Sequence, residues 1–177
     1  MKTLVMKLPL LLLCLSLLAC KKDKNEEVMP NYSMNGSNTF AAYVNGELWL
    51  PKGRPSTFQK NFDITYDPAY KGGTLNIAAY RKISDNPSEY EHVIIAMAQA
   101  DHEGVYTFDN PEISGVRFYN QECEYDKSPE VYREGQLEIT KLDLQNGIIA
   151  GKFEFTLTKP GCDTIRVTEG RFDKKIF

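Results

Sequence analysis

Two histidines, four cysteines and one run of alternating carboxylates are the residues of this chain best suited to chemistry. His92 follows Glu91, and His102 lies between Asp101 and Glu103. An imidazole beside a carboxylate can hold a metal or move a proton, because the carboxylate fixes the ring tautomer and its charge. A metal needs three or four converging ligands, and neither His-Glu-x-x-His nor close histidine spacing is present. The apolar segment Val93–Ala98 separates the two histidines and, extended, holds them about 30 Å apart. They read as surface turn residues, and no metal is expected. Glu122, Glu124 and Asp126 alternate with Cys123 and Tyr125. Glycoside hydrolysis needs two facing carboxylates and calcium a cage of oxygens, but no spacing here fixes either, so the run reads as a solvated loop. Neither Gly-x-Ser-x-Gly nor a phosphate-cradling glycine loop occurs. No catalytic residue and no cofactor is assigned, and the chain is not expected to be an enzyme.

Aromatic residues offer a different chemistry. Trp49 is the single tryptophan among ten tyrosines, and Tyr66, Tyr70 and Tyr90 fall in turn-rich stretches. Flat rings with a polar tip suit a sugar-stacking platform, so these four are candidate ligand-binding residues; packing in the core or at a sheet rim is the competing use.

The elements that must position these residues read as strands. Phe40, Ala42 and Val44 alternate, Asn45-Gly46 supplies the φ > 0 turn of a two-residue hairpin, and Glu47 to Leu50 returns. Phe58 to Tyr66 reads as a weaker strand and Thr74 to Tyr80 as a clear one. Val93 to Ala98 is apolar on both faces and belongs at the centre of a sheet. Short strands follow at Val105–Phe108 and Val116–Asn120. The end is the most regular part. Ile149, Gly151, Phe153, Phe155 and Leu157 share one face while Lys152, Glu154 and Thr156 share the other, between strands at Gln136–Lys141 and Ile165–Phe172. With no amphipathic helix, the spacing predicts an all-β fold, an antiparallel sandwich or a flattened barrel, over residues 39–177.

The N-terminus is of another kind. Lys2 and Lys7 precede an apolar run of eleven residues from Leu8 to Leu18, too short to cross about 30 Å of hydrocarbon permanently. It ends in Leu17-Leu18-Ala19-Cys20, which resembles the lipobox of bacterial lipoproteins. The resemblance implies removal of residues 1–19 and lipid on Cys20, an anchor to the outer membrane that several acyl chains make stable. An ordinary secretory signal carrying a cysteine is the alternative. Residues 20–38 are polar and charged and are expected to form a flexible tether. The charged stretch after Cys20 resembles the export signals of Bacteroidota surface lipoproteins, which implies display at the cell surface; a spacer on a periplasm-facing protein is the other reading.

Cleavage would leave 158 residues, one ordinary domain, with 19 basic against 24 acidic side chains. That acidic balance opposes nucleic-acid binding, which requires a basic face. Cys14 would leave with the signal and Cys20 take lipid, so Cys123 and Cys162 remain in an oxidising compartment. They are expected to form a disulfide closing a loop of about 40 residues, a stabilisation of roughly 4 kcal/mol. Two unpaired buried thiols are the alternative.

Phe40-x-Ala42, Val44-Asn45-Gly46 and Trp49 at one end, and Asn146-Gly147-Ile148-Ile149-x-Gly151-x-Phe153-x-Phe155 with Gly170-Arg171-Phe172-Asp173 at the other, are similar to a Bacteroidota lipoprotein domain of unknown function. The resemblance implies an exported all-β domain at the outer membrane and carries no activity to transfer. Asp163-Thr164-Ile165 resembles the O-glycosylation motif of Bacteroidota exported proteins, which implies Thr164 as an acceptor. Two functions fit these readings. One is a non-catalytic module that binds a glycan, peptide or protein; the other is a structural or assembly subunit of an envelope complex. A concave aromatic patch would favour the first, a flat apolar surface the second.

Overall fold

Asn45 and Gly46 both take positive φ, 51° and 86°, the backbone of a two-residue hairpin turn. In the computed structural model, which describes residues 27–177, they join β1 (Thr39–Val44) to β2 (Glu47–Trp49) with Ala42 opposite Trp49. The expected signal peptide, Cys20 and the first residues of the expected tether lie outside the described residues. Nine further strands follow: β3 (Phe62–Asp67), β4 (Thr74–Lys82), β5 (Tyr90–Ala98), β6 (Gly104–Thr107), β7 (Ser114–Tyr119), β8 (Glu124–Tyr125), β9 (Tyr132–Asp143), β10 (Ile148–Thr158) and β11 (Ile165–Lys175). No helix occurs among the described residues.

The strands form two antiparallel sheets, ordered β2-β1-β11-β10-β9-β6 and β3-β4-β5-β7-β8, and no strand is shared between them. The architecture is therefore an all-β sandwich. β5 is the middle strand of the second sheet, where its two-faced apolar pattern places it: Val93, Ile95 and Met97 point into the core while Ile94 and Ala96 are half-buried on the outer face. The strand expected to start at Phe58 begins only at Phe62. Residues 51–61 instead run irregularly beside β4, with Lys52 bridging Arg81 and Phe58 left 97% exposed.

Period two holds on β10, whose Ile149, Phe153, Phe155 and Leu157 are buried while Lys152 and Glu154 are exposed. Burying each such side chain contributes about 1.5–3 kcal/mol. Two register shifts interrupt the pairing, between Ala150 and Gly151 against β9 and between Phe153 and Phe155 against β11. They bring glycine under aromatic rings: a Cβ on Gly170 would lie 2.4 Å from the Phe153 ring, and one on Gly151 would lie 2.6 Å from that of Phe172. Only a residue without Cβ lets both rings lie down on the sheet. Cys123 and Cys162 form a disulfide with Cα atoms 6.1 Å apart, tying the end of the second sheet to the turn between β10 and β11.

One expectation is corrected. Residues 20–38 are expected to form a free tether, but from Pro30 onward the chain docks on the six-stranded sheet. The buried carboxylate of Asp173 accepts from Ser33 Oγ at 2.6 Å and from the backbone N–H groups of Asn35, Gly36 and Ser37 at 3.1, 2.7 and 3.0 Å. Arg171 donates to the Pro30 carbonyl, and the Lys152 ammonium sits 5.0 Å over the Tyr32 ring. Composition misses this because the segment is held by one ionic acceptor and not by apolar burial.

Candidate functional site

The outer face of the five-stranded sheet carries the residues that alternate away from the core. β4 contributes Asn76, Ala78 and Tyr80, β5 contributes Tyr90 and His92, and β7 contributes Tyr119. The ladder sets His92 opposite both Tyr80 and Tyr119, and Tyr90 opposite Lys82. Tyr90 is thereby flanked on both sides. Its ring stacks on Tyr80 at 5.3 Å and 27° and on Tyr119 at 4.7 Å and 23°. Such stacked pairs each contribute about 0.5–1.5 kcal/mol beyond area burial, and three in a row make a stiff aromatic ridge across the sheet.

Beside the ridge lies a groove of about 550 Å³. Its floor is Thr65, Asn76, Ala78 and His92, Asp63 and Lys60 stand at one side, and Phe58 and Pro87 close it from the two flanking loops. That size falls within the range of small-molecule sites, about 300–1,000 Å³. Burial holds the His92 imidazole below its ordinary pKa, so near neutrality it is uncharged, with one nitrogen donating and one accepting. Burial, followed by the neighbouring Tyr119, holds the Tyr90 hydroxyl above its ordinary value, so it stays protonated. Asn76, Thr65 and His92 thus present neutral donors and acceptors beside an aromatic edge. Among the described residues, no group of three or more His, Cys, Asp or Glu could hold a metal ion.

The four aromatic residues singled out in the sequence do not converge. Trp49 is buried at 1% exposure, edge-on to Phe40, and its Nε1 donates to Glu91 at 2.6 Å. Its place is the core and not a binding surface, because β2 turns it inward at the mouth of the sandwich. Tyr66 also points inward, donating its hydroxyl to the Ala100 carbonyl at 2.9 Å. Tyr70 is exposed in the turn between β3 and β4, roughly 26 Å along the sheet from Tyr90. Tyr90 alone lies at the groove. His92 is corrected as well: it is half-buried within β5 and not in a turn, while His102 is exposed and bonded to Asp101 at 2.6 Å. Glu124 lies in β8, and the Asp126 carboxylate accepts from the Ser128 N–H at 3.0 Å instead of joining an acidic cage. Thr164 is exposed just before β11, its carbonyl accepting from Asn45 Nδ2.

Tyr80, Tyr119, His92 and Phe58 were missed. Parity within each strand points the first three outward, but only the pairing of three strands makes them neighbours.

No curated protein and no solved structure matches this chain. Residues 36–174 match the family described as a domain of unknown function, DUF6252, a span that takes in all eleven strands but for the last residue of β11, and the chain belongs to that family.

Proposed function

We propose that this chain is a non-catalytic binding module of the bacterial envelope, held at the outer membrane by lipid on Cys20, and that it takes a glycan in the groove beside Tyr90. The observation that carries the reading is the edge of the tyrosine ridge beside a groove floored by neutral hydrogen-bonding side chains. Sugars present apolar C–H faces and dense hydroxyls, and a site for them needs an aromatic surface next to groups that both donate and accept. Asn76, Thr65 and the uncharged His92 are of that type. Phe58, almost fully exposed on the loop above, supplies an open aromatic face for the ligand to close against. A concave, mixed surface of this kind fits a binding module better than a flat assembly face.

The anchor rests on the lipobox-like Leu17-Leu18-Ala19-Cys20. From Cys20 to Ser33, where the chain is fastened by Asp173, extended polypeptide spans at most roughly 45 Å. The domain would therefore stay close to the membrane that holds it, facing the periplasm or the medium. Exposed Thr164 remains the proposed O-glycan acceptor.

The test is a glycan array probed with the detergent-extracted full chain, repeated with Tyr90→Ala and Phe58→Ala. Truncating an aromatic anchor at a site centre costs about 2 kcal/mol or more, over tenfold in affinity. Specific glycan binding that both variants weaken by that factor supports the reading. Binding indifferent to Tyr90, or retention of peptides instead of glycans, refutes it. Cys20→Ala should abolish incorporation of labelled fatty acid; a variant that is still labelled and still floats with membranes refutes the anchor.

A further inference from the structure

Lys174 is an unusual resident of a core. Period two places it on the same side of β11 as Phe172, so its ammonium enters the sandwich, and its side chain is only 4% exposed. There it meets three groups from two separate parts of the chain. Nζ donates to Asn38 Oδ1 at 2.8 Å and to the Phe62 carbonyl at 3.2 Å, and lies 3.3 Å from Asp63 Oδ1. The Phe62 ring stands 4.8 Å below it. Asn38 directly precedes β1, whose Thr39 pairs with Asp173, so the carboxamide sits beside the amine of Lys174, one residue further along β11. Asn38 takes φ of 58°, which asparagine tolerates better than other side-chain-bearing residues and which turns its amide toward Lys174.

We propose that Lys174 and Asn38 join in an intramolecular isopeptide bond, with Asp63 as the proton carrier. The arrangement has what that reaction needs: an amine in contact with a carboxamide, a carboxyl group touching the amine, and an aromatic ring that shields the buried lysine from one side. The carbon to be attacked is one C=O bond beyond the oxygen that Nζ already touches. A small rotation of the Asn38 amide converts the hydrogen-bonded arrangement into a near-attack one, about 3–3.5 Å between reacting atoms.

The step balances without any co-reactant. A proton passes from the Lys174 ammonium to the Asp63 carboxylate, leaving a neutral amine and a neutral acid. Nζ attacks Asn38 Cγ while the Asp63 O–H donates to Oδ1 and polarises the carbonyl. The tetrahedral intermediate breaks its Cγ–Nδ2 bond, Nδ2 collects protons, and the nitrogen leaves as ammonium. A secondary amide then links the two side chains, and Asp63 is again a carboxylate. Burial holds the Lys174 ammonium below its ordinary pKa, against the opposing hydrogen bond and charge of Asp63, and so favours the nucleophilic form. The Asn38 amide must rotate before attack, so the bond forms slowly after folding and not during it.

The bond would close a loop over 136 residues, nearly the whole domain. It would also carry load applied through the N-terminal segment past the β1–β11 hydrogen bonds and directly into β11.

The test is peptide mapping by mass spectrometry of the full chain, purified from an exporting host and aged before digestion. The expected product is a branched peptide joining the Asn38 and Lys174 segments, lighter than their sum by one ammonia. It should be absent from Lys174→Arg, Asn38→Ala and Asp63→Asn, and its yield should rise with time in the wild type. The crosslinked form should melt roughly 10–20 °C above Asn38→Ala. Because Asn38 is exposed, that variant should fold even if Lys174→Arg does not, and circular dichroism checks it. Aged, folded wild type that yields only separate Asn38 and Lys174 peptides overturns the proposal. A branched peptide that survives Asp63→Asn overturns the assignment of Asp63 as proton carrier.

Discussion

Replacing Asp173 by Asn asks whether one buried carboxylate holds the N-terminal segment on the sheet. In the wild type both oxygens are used, receiving the Ser33 hydroxyl and the N–H groups of Asn35, Gly36 and Ser37. Asparagine keeps one acceptor oxygen and turns an NH₂ toward donors, so at least one of the four loses its partner and another faces repulsion. Donors left unsatisfied cost about 1–3 kcal/mol each, and bonds to a charged acceptor are the stronger kind. The segment can partly detach into water, which caps the loss, so the expected destabilisation is about 2–4 kcal/mol. Urea melts at neutral pH would read the global cost, and limited proteolysis would read release of residues 27–37. The pH dependence has a definite sign. Burial raises the Asp173 pKa, but the bonds from Ser33, Ser37, Gly36 and Asn35 outweigh it, and the group sits below its ordinary value of 3.8. A depressed folded-state pKa means the stabilisation is complete above the unfolded value and is lost as pH falls through the folded one. Wild type and Asp173→Asn should therefore differ at pH 7 and converge well below pH about 4. A variant as stable and as protease-resistant as the wild type at neutral pH would refute the reasoning, as would a stability gap unchanged in strong acid.

Further substitutions test other links. Phe155→Ala should cost about 3–5 kcal/mol, because the ring packs between Phe153 and Phe108 and leaves a cavity. Glu154→Ala, one residue away on the exposed face, should cost under about 0.5 kcal/mol; equal costs in urea melts would mean the register is wrong. Replacing Cys123 and Cys162 together by Ala opens a link between residues 39 apart and should lower stability by about 4 kcal/mol, with calorimetry as the readout and an unchanged melt as the contrary result. Gly170→Ala drives a methyl group into the Phe153 ring and its backbone carbonyl and should cost about 1–3 kcal/mol; a neutral effect in the same melts would show that both ring and strand give way.

The sequence alone determined the all-β class, the Asn45-Gly46 hairpin, the two faces of β10 and the central position of β5. Each is a local matter: a turn requires particular φ values, and alternation with period two sorts side chains to two faces whatever the strand pairs with. What the tertiary structure alone decided is which outward faces become neighbours. Tyr80, Tyr90 and Tyr119 stand in three different strands, and their stacking exists only once the register of β4, β5 and β7 is set. Trp49 went to the core because the end of β2 lies over Glu91 of the opposite sheet, a contact no local pattern encodes. The docked segment at 30–37 and the meeting of Lys174 with Asn38 and Asp63 have the same cause. Charged and polar groups far apart in the chain pair with whichever donor or acceptor the packing of two sheets delivers, because burying them unpaired is costly.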